Sequence, residues 1–223
     1  MRGRMMKTAV GSLAVAVLAF LAFVALKHGW ADLFAFQGRA LIRSWDREQR
    51  PFSSDESKLA QSRLENSLGL NPGDPGVLED LGRLHELRTR ALQGADTAAE
   101  LGIAMDYLRR SLRTRPTSPY TWANLAFVKS SLGLLDDEFY HSIRNAALLG
   151  PWEPEVQLLL ADIGFRYWNR MPKTAQDTIH AAIRRGLKRQ DAKLFELASR
   201  YGRTDVMCAT PGVSRSKRAV RCI

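Results

Sequence analysis

Residues 104–126 read Ala104-Met105-Asp106-Tyr107-Leu108-Arg109-Arg110-Ser111-Leu112-Arg113-Thr114-Arg115-Pro116-Thr117-Ser118-Pro119-Tyr120-Thr121-Trp122-Ala123-Asn124-Leu125-Ala126. Ala104, Leu108, Ser111 and Pro116 stand at intervals of four, three and five. The first three share a helix face, and the proline, which has no N–H to give, stops that helix. Ala60, Leu64, Ser67 and Pro72 repeat the series. A second set follows each proline at the same offsets: Leu78, Leu81, Gly82 and His85 after Pro72, and Trp122, Leu125, Ala126 and Lys129 after Pro116. Such a period marks a repeat protein.

Two further units appear when small insertions are allowed. Phe139, Ile143, Ala146 and Pro151 keep the spacing, as do Ala175, Ile179, Ala182 and Leu187, where Gly186 or the Lys188-Arg189 pair has to end the helix instead of proline. Leu194, Leu197, Ala198 and Tyr201 then resemble a first helix without its second, which suits a terminal cap. Small residues let paired helices approach, so the pattern predicts an all-α fold, a tetratricopeptide-like superhelix of helical hairpins. Chance amphipathic helices would not couple each pattern to a turn. Here Asn71-Pro72-Gly73-Asp74-Pro75, Arg115-Pro116-Thr117-Ser118-Pro119 and Gly150-Pro151-Trp152-Glu153-Pro154 each place one proline at a helix end and another three residues on.

Outside the repeats, Thr8 to Leu26 form nineteen positions without a charge, after Arg2, Arg4 and Lys7 and before Lys27. About twenty apolar residues span a bilayer core. The run is longer than the apolar region of a secretion signal, so an uncleaved anchor is expected over residues 1–27. A basic leader of this kind predicts the amino terminus inside and the repeats across the membrane, in the periplasm of a Gram-negative inner membrane. Residues 28–52 form a juxtamembrane helix or linker, with Trp30, Leu33, Phe34, Gln37, Leu41 and Trp45 at helical spacing. That stripe suits either a headgroup layer or, the preferred reading, packing on the helix Lys58 to Leu68. The repeat domain occupies residues 53–203, and residues 204–223 form a basic tail expected to be disordered. Cys208 and Cys222 can pair under oxidising conditions or stand as two unrelated thiols.

The net charge of +10 does not indicate nucleic acid. Arg2, Arg4, Lys7 and Lys27 flank the apolar run, and five further basic residues lie in Arg203 to Ile223, leaving few to line the array. The four histidines are scattered, and no HExxH, CxxC, GxSxG or P-loop occurs. No catalytic residue, metal or cofactor is expected. Asp136, Asp137 and Glu138 read as charges favourable at a helix N-terminus.

Function then falls to a groove lined by the first helices of the hairpins. Its expected partner-binding residues are Glu79, Arg83 and Glu86 in the first repeat, Tyr120, Asn124 and Phe127 in the second, and Glu155, Asp162 and Arg166 in the third. Tyrosine and arginine are prominent where interfaces concentrate their energy, so a peptide or protein is the expected ligand. An enzyme would need paired carboxylates facing a cleft, and Glu155 with Asp162 is the nearest approach.

The runs Leu78 to Glu86, Arg115 to Ala126 and Leu149 to Leu158 resemble the VpsP family of bacterial polysaccharide-biosynthesis proteins, over roughly residues 30 to 210. The resemblance implies an anchored accessory protein that scaffolds polymerase or export components of exopolysaccharide assembly. The family has no established catalytic residues to carry over. This chain departs from it in its arginine-rich tail and weak final repeat. An anchored repeat protein of another envelope or cofactor-assembly pathway would share these features, and only partner identity separates the two.

Overall fold

A computed structural model describes residues 2–48, 51–91, 94–213 and 222. Those residues are all-helical, without strands. The helices are α1 (Arg2–Glu48), α2 (Ser54–Leu70), α3 (Pro75–Arg88), α4 (Ala95–Thr114), α5 (Pro119–Ser131), α6 (Asp137–Leu149), α7 (Pro154–Tyr167), α8 (Lys173–Arg200) and α9 (Thr204–Cys208). The chain divides into two compact units, residues 1–84 and 85–223.

Three turns are built alike. Each has four residues, joining α2 to α3, α4 to α5 and α6 to α7. The first amide of each turn, on Asn71, Arg115 and Gly150, donates to the carbonyl four residues back, on Ser67, Ser111 and Ala146. The last, on Asp74, Ser118 and Glu153, donates to the first residue's carbonyl. Proline then opens the next helix, where its missing N–H costs nothing. Ser118 caps α5 by accepting from the Thr121 amide, and Asp74 accepts from the Gly76 and Val77 amides. The residues of the four-three spacing in all four series, Ala60, Leu64, Ser67, Ala104, Leu108, Ser111, Phe139 (where a phenylalanine takes the first small position), Ile143, Ala146, Ala175, Ile179 and Ala182, are buried.

In the first unit, α1 is one helix through the expected anchor and juxtamembrane segments. Leu13, Val15, Val17, Leu18, Phe20, Leu21, Phe23 and Leu26 are exposed along it. It is the one described helix long and apolar enough to cross a membrane. Further on, α1 packs on α2, but through a rotated face. Ala31, Ala35, Ile42 and Trp45 are buried, whereas Trp30 and Leu33 of the expected stripe are exposed. Close approach decides this: a Cβ on Gly38 would lie 2.7 Å from Leu64 Cγ, so the small-residue face is the one that fits against α2. Trp45 stacks on Phe52, with ring centroids 4.4 Å apart.

In the second unit, α5 packs with α4, α6 and α7, and α7 with α8. Gly133, at φ 72°, supplies the left-handed residue that ends α5. Asp136 then caps α6 through the Phe139 amide, as the acidic run leads one to expect. The last unit differs in detail from the sequence reading. Helix α8 runs through Gly186 and the Lys188-Arg189 pair and breaks at Gln190, where φ is −138° and ψ 27°. Gly186 serves packing instead, since a Cβ there would sit 3.0 Å from Leu194 Cδ1. Beyond the expected domain edge at residue 203, α9 and the turn after it carry the chain on to Val213. Val206, Met207, Thr210 and Val213 are buried, and Cys208 is disulfide-bonded to Cys222. Residues 214–221, where most of the expected disorder falls, lie outside the described residues.

Candidate functional site

Three helical segments of the second unit converge on one arginine. Phe127 lies on α5, Asp162 and Arg166 lie four apart on α7, and Tyr201 ends α8. The Arg166 guanidinium stands 5.5 Å from the Phe127 ring centroid and 5.6 Å from that of Tyr201. Its Nη2 donates to Tyr201 Oη at 2.9 Å and lies 3.7 Å from Asp162 Oδ2. A delocalised, weakly hydrated guanidinium suits this stacking better than a lysine ammonium would.

Charge balance follows from the geometry. Burial works to lower the Arg166 pKa, but the Tyr201 hydroxyl and the Asp162 charge outweigh it and hold the group above its ordinary value. Burial and a hydrogen bond to Asp162 push Tyr201 up, which keeps the phenol neutral. Asp162 Oδ1 is buried without a hydrogen-bond partner among the described residues. A buried acceptor of this kind costs about 1–3 kcal/mol until something donates to it.

Of the nine expected groove residues, Phe127, Asp162 and Arg166 come together here. Glu155 is exposed on the first turn of α7. Tyr120 is half-buried, with its hydroxyl donating to Glu153. Asn124 is half-buried on the same α5 face. Glu86 is buried, and its carbonyl accepts from the Thr89 hydroxyl at 2.7 Å. Glu79 and Arg83, both half-buried, belong to the first unit.

Sequence reasoning missed Tyr201, which looked like part of a cap. A signal was present, because Tyr201 closes a series in which Leu194 and Ala198 already have first-helix spacing. It also passed over a second polar cluster. Lys129 is buried with Nζ 2.8 Å from Asp136 Oδ2 and 2.5 Å from Glu138 Oε2. Glu138 also accepts both arms of Arg109, at 2.9 and 2.6 Å. These contacts tie α4, α5 and α6 together.

The histidines are dispersed. His85 bonds Glu100 at 2.5 Å, His141 lies near Arg144 and Asn145, and His180 stacks on Trp168. No group of three or more His, Cys, Asp or Glu could hold a metal among the described residues. Compared with known proteins, the chain matches no family model and no curated sequence.

Proposed function

We propose that this protein is a membrane-anchored, non-catalytic adaptor that binds a protein partner through the groove around Arg166. The observation that carries the reading is the half-buried Phe127–Arg166–Tyr201 stack. An arginine between two aromatic rings is the kind of cluster in which interfaces concentrate their energy, and it suits a peptide or protein partner. Asp162 is engaged by Arg166 and Tyr201, which disfavours its use with Glu155 as an acid–base pair.

The resemblance to the VpsP family supports placing this adaptor in exopolysaccharide synthesis or export. The exposed apolar run on α1 supports a single-pass anchor in a bacterial inner membrane. The Cys208–Cys222 disulfide favours the periplasmic side for the repeats, because cytosolic reductants keep most thiols reduced.

The test is a photo-crosslinking amino acid at Glu155, the exposed member of the groove set, in the full-length protein in its native host. Capture of a polysaccharide polymerase, glycosyltransferase or export subunit is expected. Repeated capture of a cofactor-assembly or unrelated envelope protein would overturn the pathway and leave the adaptor reading standing.

A further inference from the structure

We propose that the α6–α7 turn and the adjacent face of α8 form a second membrane contact, which docks on an anionic lipid surface. Outside α1, the exposed large apolar side chains among the described residues are Leu59, Ile103, Leu134, Leu148, Leu149 and Trp152. Half of them fall within five residues at the end of α6 and the turn after it, with Leu148 72% and Trp152 66% exposed. Lys188 Nζ lies 5.9 Å from the Trp152 ring centroid, which places Lys188 beside this apolar knob, and Arg184, Arg185 and Arg189 lie within about one turn of it on α8. Gln190 Nε2 donates to the Pro154 carbonyl at 2.7 Å and holds the α8 break against the same turn.

The cations are available. Arg184, Lys188 and Arg189 are exposed and Arg185 is half-buried, and none of the four has an acidic partner among the described residues. Arg144, also exposed, lies one turn before Leu148. The nearby acids are Glu153, which is bonded by the Tyr120 hydroxyl, Glu155 and Asp191, so the balance is positive. Tryptophan settles at headgroup depth, leucine enters the acyl boundary, and clustered lysine and arginine meet lipid phosphates. An acidic protein would satisfy the cations but has no need of the apolar knob. The contact rests on the membrane attachment proposed above, since a chain tethered by α1 meets the bilayer at high effective concentration.

The experiment is amide hydrogen exchange on the full-length chain, reconstituted at one copy per nanodisc. One set of discs is phosphatidylcholine, and the other contains phosphatidylglycerol as well. Protection of the apolar α1 amides in both lipids reports the anchor. With phosphatidylglycerol, exchange across residues 147–153 is expected to slow by about tenfold, and the variant Trp152→Ser/Lys188→Glu/Arg189→Glu should lose that slowing while α1 stays protected. Equal exchange in both lipids with α1 protected would overturn the contact alone. Slowing that persists in the variant, or that needs two copies per disc, would also overturn it, the latter by making a second copy the occupant. Unprotected α1 would overturn the anchor and, with it, the contact.

Discussion

Lys129 is 1% exposed, and two carboxylates reach its ammonium. Removing one partner of a buried ion pair costs about 3–5 kcal/mol, and here the carboxylates left behind are 54% and 35% exposed and regain water. Arg109 shares Glu138, so the loss should fall at the lower end. We expect Lys129→Ala to lower the thermal midpoint of the detergent-solubilised chain by about 6–12 °C, from about 2–4 °C per kcal/mol at this size. An unchanged midpoint would mean that the pair stabilises nothing. Glu138 adds a pH dependence. Its bond from Arg109, then Lys129, outweigh burial and hold its pKa at about 2 against an ordinary 4.5. A depressed carboxylate contributes stability above its unfolded pKa and loses it as pH falls through the folded one. Midpoints of the native chain should therefore drop between pH 4.5 and about 2 more steeply than those of Glu138→Gln. Parallel slopes would overturn the assignment.

At the scale of the element, Gly164 shows why the α7–α8 pair needs small residues. A Cβ there would lie 2.3 Å from Ile179 Cγ2, so α7 and α8 touch where only hydrogen fits. Gly164→Ala should destabilise the chain by about 1–3 kcal/mol through overpacking. Ile179→Ala, costly on its own at a buried position, should cost less when Gly164→Ala is already present, and thermal midpoints of the single and double variants check it. A double variant as unstable as the sum of both singles would show that the two positions do not clash. Spacing of this kind is what the sequence makes legible: the twelve positions of the four-three spacing and the three proline turns depend only on residues close along the chain. The α1 face was harder to read. Burial there follows close approach at Ala31, Ala35 and Gly38, whereas the bulky residues Trp30 and Leu33, which suggested the stripe, are exposed. The α8 break at Gln190 is set by a bond to Pro154, thirty-six residues away, and has no local signature. Of the site, Phe127, Asp162 and Arg166 were legible as one outward set. Tyr201 joined them only through the packing of α7 on α8.

At the scale of the molecule, residues 204–213 and Cys222 are an integral part of the second unit. Val206, Met207 and Val213 belong to its core, and Cys222 packs against that core while bonded to Cys208. Cross-linking positions fourteen apart removes freedom from the unfolded chain, worth about 3 kcal/mol for a loop of this size. Cys208→Ser/Cys222→Ser should therefore lower the thermal midpoint by about 6–12 °C without changing helix content. The same bond bears on which side of the membrane the unit occupies, since its persistence depends on the compartment. In intact host cells, thiol alkylation should leave both cysteines unmodified until reductant is added. Ready alkylation without reductant would place the unit with cytosolic thiols and reverse the proposed direction of α1. A loss of stability on mutation together with free thiols in the cell would mean that these side chains stabilise by packing alone.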